Sequence, residues 1–309
     1  MIFMENILTT QQLKKRYGKH MAVNGVDMHI DKGDIYGFVG ENGSGKTTVI
    51  RLITGLIYPE SGSFCLFGTE NTDRQIGKAR RRIGAIVETP SIYLNMSAYD
   101  NLKQQCILLG KPEDRILPAL TDVGLEELYQ DKKRAGNFSL GMRQRLGIAM
   151  ALLGDPEFLI LDEPMNGLDP AGIVEVRELI LRLNRERGIT FLISSHILPE
   201  LSLVATKYGI ISKGKLLQEI TAEQLHRECT KTTVFSATDP VALADCIRSN
   251  FPDCTAEYTA EGVKLLGDID LNAVLAAILQ ANITLLSINC TETSFEEYYL
   301  SVIGGGKHD

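Results

Sequence analysis

Residues 40–48 read GENGSGKTT, a stretch whose residue types and spacing suit phosphate chemistry. The segment fits G-x-x-x-x-G-K-[ST], a loop that closes its backbone around phosphate oxygens. Gly40, Gly43 and Gly45 allow that close approach because they lack a side chain. Glu41, Asn42 and Ser44 complete the loop. Lys46 would neutralise β- and γ-phosphates, the Thr47 hydroxyl suits Mg²⁺, and Thr48 adds a phosphate contact. Such a loop must follow a strand and open a helix, so that the helix N-terminus also faces the anion.

A second group is acidic. FLILDE, residues 158–163, is an apolar run ending in two carboxylates. Asp162 would reach Mg²⁺ directly or through water, and Glu163 would polarise an attacking water. A third carboxylate, Glu88, closes the apolar run in GAIVETPSIY, residues 84–93. Two carboxylates about 4 Å apart repel by about 4 kcal/mol at an effective dielectric of 20. A third acid beside one metal therefore needs a reason.

The elements that position these groups alternate. DIYGFVG leads into the glycine loop as a strand, and KTTVIRLITGL follows as a helix ended by Gly55. MAVNGVDMHIDKGDIYGFVG reads as two strands of one hairpin turned at Lys32-Gly33. Further strands are expected at SGSFCLFG, RRIGAIVE, FLILDEP and TFLISSH, with KYGIISKGKLLQEI as a closing hairpin. Strands alternating with helices imply an α/β fold with a mainly parallel sheet. Residues of about 95–154 are helical throughout and read as a subdomain. The expected organisation is a first domain over 1–220 and a linker over 221–231. A small α+β domain of split βαβ pattern follows over 232–303, and a disordered tail over 304–309.

Bulk properties set limits. The net charge of −7 argues against a nucleic-acid partner, which usually meets a basic face. Six scattered cysteines form no C-x-x-C pair, so their spacing gives no zinc site, and reduced thiols in a cytoplasm are the favoured reading. The N-terminus turns polar too early for a signal peptide, and no apolar run approaches a membrane span. A protein of this kind that works at a membrane must dock on something that spans it. His20, His29, His226 and His308 lie outside any motif, and KARRR at 78–82 reads as a solvated helix face.

SLGMRQR, residues 139–145, discriminates among phosphate-loop proteins. Ser139 can cap the following helix and Gly141 leaves its first turn open, which alone reads as an ordinary capped helix and, beside a phosphate loop, as a second phosphate-binding end. In this position the segment resembles the signature of the ATP-binding cassette (ABC) family. NGLDP at 166–170 resembles that family's D-loop, His196 in SSH its switch histidine, and Tyr17 in KRYGKH the aromatic that stacks on adenine. The resemblance covers residues of about 4–220.

It implies a P-loop NTPase core with an antiparallel β subdomain and a helical subdomain, ATP and Mg²⁺, and two cassettes paired head to tail. Ser139, Leu140, Gly141 and Met142 would then serve the partner's ATP, with Gly167, Leu168 and Asp169 nearby. The resemblance also assigns Glu163 as general base and His196 to the γ-phosphate. It implies a homodimer on the cytoplasmic face of a bacterial membrane, under separate transmembrane permease subunits that handle the peptide or drug.

Most members carry Gln where this chain has Glu88, and the departure resembles lantibiotic-immunity ATPases; a neutral replacement of similar shape is the other reading. The whole pattern looks like ATPases of bacitracin-resistance and lantibiotic-immunity exporters. Exporters of other drugs, sodium or lipid share the build. A soluble cassette acting on nucleic acid or ribosomes lacks support, and a P-loop kinase lacks the SLGMRQR and NGLDP segments.

Overall fold

The computed structural model describes residues 5–304 except 230, 253, 260, 261, 268 and 293. The chain divides into two compact units, residues 1–222 and 223–309.

The first unit opens with β1 (Asn6–Tyr17), β2 (His20–Val26), β3 (His29–Asp31) and β4 (Ile35–Val39), then α1 (Lys46–Thr54). Next come β5 (Ser61–Leu66), β6 (Thr69–Glu70), α2 (Ile76–Arg80) and β7 (Ile83–Ile86). The helices α3 (Ala98–Leu109), α4 (Ile116–Asp122) and α5 (Leu140–Leu152) form the helical part. It closes with β8 (Phe158–Asp162), α6 (Pro170–Arg187), β9 (Thr190–Ser195), α7 (Leu198–Ser202), β10 (Lys207–Ser212) and β11 (Lys215–Thr221).

The central sheet runs β11-β10-β4-β9-β8-β7. All its pairs are parallel except β10 with β11. Every residue of β4, β8 and β9 is buried, as expected of parallel strands covered on both faces. A second sheet is antiparallel, ordered β2-β1-β5-β6 with β3 on β1.

The hairpin expected over 21–40 does not form. β2 pairs with β1, β3 also pairs with β1, and β4 crosses into the central sheet between β10 and β9. The Lys32-Gly33 turn therefore passes between two sheets. A turn signal specifies a reversal, but burial of both faces of IYGFV decides which sheet receives the strand.

KARRR is not simply a solvated face. Arg80 donates to the Ile53 carbonyl at 3.2 Å, and Arg82 makes a bidentate pair with Glu157 at 2.7 Å for each bond.

Asp155 anchors the helical part to the core. Its carboxylate accepts from Lys111 Nζ at 3.0 Å and Arg115 Nη1 at 3.2 Å, and Arg187 Nη2 lies 3.9 Å away. Burial pushes this carboxyl up, but Lys111, Arg115 and Arg187 together hold it below its ordinary range. A depressed carboxyl adds stability above its unfolded value of 3.8, and that stability is lost as pH falls through the lower folded value. Asp155→Asn should lower the melting temperature by about 2 °C at pH 7, because a half-exposed pair contributes at most about 1 kcal/mol. The gap to the parent should narrow as pH falls below 3.8 and close once the depressed folded carboxyl is protonated, as thermal melts across an acid pH series would show.

The second unit holds α8 (Ala222–Glu228), β12 (Lys231–Ala237), α9 (Pro240–Asn250), β13 (Thr255–Thr259), β14 (Gly262–Leu266), α10 (Leu271–Gln280), β15 (Leu285–Glu292) and α11 (Phe295–Gly304). Its antiparallel sheet runs β13-β14-β12-β15, the split βαβ arrangement, with Phe235, Leu243, Ile247, Val263, Leu265 and Ile278 in its core. The segment 221–231, read as a linker, carries the helix α8. The tail expected to be disordered lies outside the described residues beyond Gly304. Among the described residues, no helix is long and apolar enough to cross a membrane.

Candidate functional site

Three adjacent strands, β4, β9 and β8, run parallel, so their carboxyl ends deliver residues to one edge. In α/β sheets this edge is where ligands bind. β4 delivers the glycine loop, β9 delivers His196, and β8 delivers Asp162 and Glu163.

The loop is shaped by its glycines. Gly43 and Gly45 take φ of 80° and 113°, values that a side chain disfavours. A Cβ on Gly45 would lie 2.5 Å from the Ala22 carbonyl oxygen, so β2 packs against the loop. Above Gly43 the space is open. Gly45 stands at the N-cap of α1 without any side-chain cap, which leaves helix N–H groups for an outside acceptor.

Lys46 is 5% exposed. Its Nζ donates to the Gly40 carbonyl at 2.6 Å and the Glu41 carbonyl at 3.2 Å, and lies 3.2 Å from Glu163 Oε1. Glu163 Oε2 is 2.7 Å from His196 Nδ1. One carboxylate therefore bridges the loop lysine and the histidine. Asp162, 2% exposed, accepts from Ser194 Oγ at 2.5 Å. Ser194 Oγ and the Ser194 carbonyl both accept from the Glu163 N–H, at 2.9 and 3.2 Å. Glu163 takes φ of 51°, and these bonds hold it in that turn.

Ser194 was not among the residues singled out from sequence. The available signal was a hydroxyl inside the apolar run FLIS, which needs a partner when buried.

The residues present fit a triphosphate and its cation. Ser44 Oγ is buried with no hydrogen-bond partner. Among the described residues, nothing hydrogen-bonds to the Thr47 or Thr48 side chains, and Asp162, at the end of β8, has one carboxylate oxygen outside the Ser194 bond. These are oxygen donors of the kind Mg²⁺ prefers. Tyr17 ends β1 and is 43% exposed, with Lys15 Nζ 5.8 Å from its ring centroid.

Glu88 does not join this cluster. β7 lies beside β8 with Ile86 opposite Leu161, so the backbone brings Glu88 to the right edge. Its carboxylate, 60% exposed, instead accepts from Arg51 Nη2 at 2.5 Å, in the last turn of α1. Among the described residues, no hydrogen bond or ion pair links it to Asp162 or Glu163. Glu88 as a metal ligand therefore stays a proposal, and its partner in this structure is Arg51. A φ of 64° at Glu88 turns the chain, and a nearby guanidinium attracts the charge that two acids would repel.

The N-terminus of α5 is capped as its residues suggest. Ser139 caps α5 by accepting from the Met142 N–H at 3.1 Å, and Asp169 caps α6 by accepting from the Gly172 N–H at 3.1 Å. The two N-termini lie together: a Cβ on Gly141 would be 3.8 Å from Gly172 Cα, and one on Gly167 3.3 Å from Leu140 Cδ2. Leu168 Cδ2 lies 4.0 Å from the same Gly141 position. Among the described residues, no hydrogen bond or ion pair joins 139–142 to the glycine loop of the same chain.

A phosphate loop, a buried aspartate and an adjoining glutamate at one edge of this sheet define a P-loop nucleoside triphosphatase. Residues 23–166 match the family model for the ABC transporter. The bacitracin transport ATP-binding protein BcrA of Bacillus licheniformis is 42% identical over 306 residues, covering 98% of this chain and 99% of its own. The lantibiotic transport ATP-binding protein SrtF of Streptococcus pyogenes is 48% identical over 213 residues, or 69% of this chain and 90% of its own. Among solved structures, cbiO1 from Clostridium perfringens, part of the ABC transporter complex cbiONQ, gives a TM-score of 0.65 at 26% identity. That match covers 80% of this chain and 96% of cbiO1. The chain belongs to the ABC transporter family of ATP-binding proteins, and it binds and hydrolyses ATP.

Proposed function

We propose that this chain is the ATP-hydrolysing subunit of a bacterial exporter that removes antimicrobial peptides of the bacitracin or lantibiotic type. The observation that carries the reading is similarity to BcrA along 98% of the chain, beyond the cassette into the second unit. The subunit works as a pair of identical cassettes on the cytoplasmic face of the membrane, beneath separate permease subunits. A 30% identity over 96% of the chain to the linearmycin resistance protein LnrL of Bacillus subtilis favours a second reading, export of another class of drug.

In this mechanism, the loop 40–45 and Lys46 bind the β- and γ-phosphates, and Tyr17 stacks on the adenine. Thr47 and Asp162 would hold Mg²⁺, which supplies charge neutralisation on the phosphates when bound. Glu163 takes the proton of the attacking water, oriented by Ser194 through its backbone N–H. His196 positions Glu163 and contacts the γ-phosphate. Catalysis then comes from positioning and charge rather than from a covalent intermediate. Residues 139–142 and 167–169 serve the nucleotide of the partner cassette.

A cleft of about 1180 Å³ opens beside β7, α3 and α5. Ile107, Leu108, Thr89, Pro90, Gly147 and Met150 line part of it. Exposed Ile107 and Leu108 give it the apolar floor that a cytoplasmic helix of a permease needs. A Cβ on Gly147 would lie 2.6 Å from Pro90 Cβ, so the Glu88 loop leans directly on α5. Occupancy of the cleft can therefore move both Glu88 and the signature helix.

The test is peptide resistance in cells producing this chain together with permease subunits of its own bacterium. The minimal inhibitory concentration of bacitracin or a lantibiotic should rise at least fourfold over cells lacking the chain. No rise for either, with a rise for linearmycin, would favour the second reading. In the same cells Glu88→Gln should lower resistance, and in the purified chain it should change the Mg²⁺ dependence of hydrolysis about threefold, because a carboxylate is removed from the edge that carries Asp162 and Glu163. Unchanged values in both assays would leave Glu88 as a neutral replacement.

A further inference from the structure

SLGMRQR extends past the residues that face a nucleotide, and its last member has an unusual set of partners. Arg145 lies on α5, and its side chain is 16% exposed. Nη1 donates to the Gly124 carbonyl at 3.0 Å and the Val123 carbonyl at 3.3 Å. These carbonyls follow α4, where Val123 is the C-cap and Gly124 turns the chain with φ of 64°. Nη2 lies 3.2 Å from Glu175 Oε2 on α6. Nε is buried and has no partner. One guanidinium thus joins α4, α5 and α6.

The arrangement has a chemical logic. The carbonyls that end a helix have no partner inside it, and a cation there also meets the negative end of the helix dipole. A planar guanidinium can serve two carbonyls and a carboxylate at once, and an ammonium cannot reproduce that fork. α5 and α6 are the helices whose capped N-termini, at Ser139 and Asp169, lie side by side. The glycines Gly141 and Gly172 fix their separation at that end, and the Arg145–Glu175 pair fixes it farther along.

We propose that Arg145 is a positioning residue for the composite nucleotide site. It keeps residues 139–142 of α5 in register with residues 167–169 before α6, so that both reach the nucleotide of the partner cassette together. Through Val123 and Gly124 it also carries movement of the helical part into that register. The inference rests on the reading above, in which these residues serve a second copy of the chain.

The experiment uses the full chain. ATP-driven dimerisation is measured by light scattering in the Glu163→Gln background, and kcat, KM and single-chain ATP binding in the catalytically intact one. Arg145→Gln should raise the ATP concentration for half-dimerisation about tenfold and lower kcat about tenfold, the range expected when coupling between elements is disturbed. ATP binding by the separated chain should stay within about twofold, because the phosphate loop is untouched. Glu175→Gln, on an exposed side chain that folding tolerates, should act in the same direction by about threefold. Arg145→Lys should recover only part of the loss.

Normal dimerisation and kcat in both Arg145→Gln and Glu175→Gln would overturn the proposal. So would a loss confined to single-chain ATP binding, or full recovery with Lys. If the Glu163→Gln chain itself fails to dimerise with ATP, the paired-cassette reading fails instead, which separates the two.

Discussion

Glu163→Gln should lower kcat for ATP hydrolysis by about a thousandfold while leaving ATP binding intact, within the range for losing a general base. The carboxylate sits between Lys46 Nζ at 3.2 Å and His196 Nδ1 at 2.7 Å, and its backbone is held by Ser194. Gln has the same reach and can still meet the histidine, but it takes no proton from water. It also frees Lys46 from a counter-charge, so phosphate binding should stay equal or tighten. Single-turnover phosphate release and titration with a fluorescent nucleotide separate the two effects. A kcat within threefold of the parent would remove Glu163 from the base role. A thousandfold loss with a matching loss of binding would make it a structural partner of Lys46 instead.

The same carboxylate shows what the sequence could carry. Lys46 and Thr47 are neighbours in the chain, and so are Asp162 and Glu163, so the covalent backbone alone places each pair. Their glycines and flanking apolar strands are local features, and they were legible. Ser194 lies 32 residues beyond Asp162, and only the parallel pairing of β8 with β9 brings them together.

Arg51 and Glu88 are 37 residues apart in the same way. Residue types placed Glu88 near the acids, but they could not show that a turn at φ of 64° hands its charge to α1. The hairpin misread over 21–40 has a related cause. Turn chemistry is local, whereas assignment of IYGFV to the central sheet depends on strands that arrive more than 150 residues later. Helix α8, in the stretch read as a linker, shows the limit of composition as a guide to boundaries. A short polar helix with Leu225 as its buried residue resembles a connector in its letters.

Lys46→Met should weaken ATP binding by about a hundredfold, near 2.8 kcal/mol at about 1.4 kcal/mol per tenfold. Lys46 gives its three ammonium donors to Gly40, Glu41 and Glu163 in this structure. Triphosphate entering the loop competes with Glu163 for that ammonium, so the charge is already placed and desolvated before substrate arrives. Preorganised charge of this kind acts with little further reorganisation. Met keeps most of the buried stem volume, so the loop should still fold, at a cost of about 1–2 kcal/mol for the lost hydrogen bonds. That cost appears in the melting temperature without nucleotide. The binding loss appears separately, as the missing rise in melting temperature when ATP is added, because a ligand stabilises only the state it binds. A variant that melts a few degrees early yet gains as much from ATP as the parent would show that the backbone N–H groups hold the phosphates without the lysine.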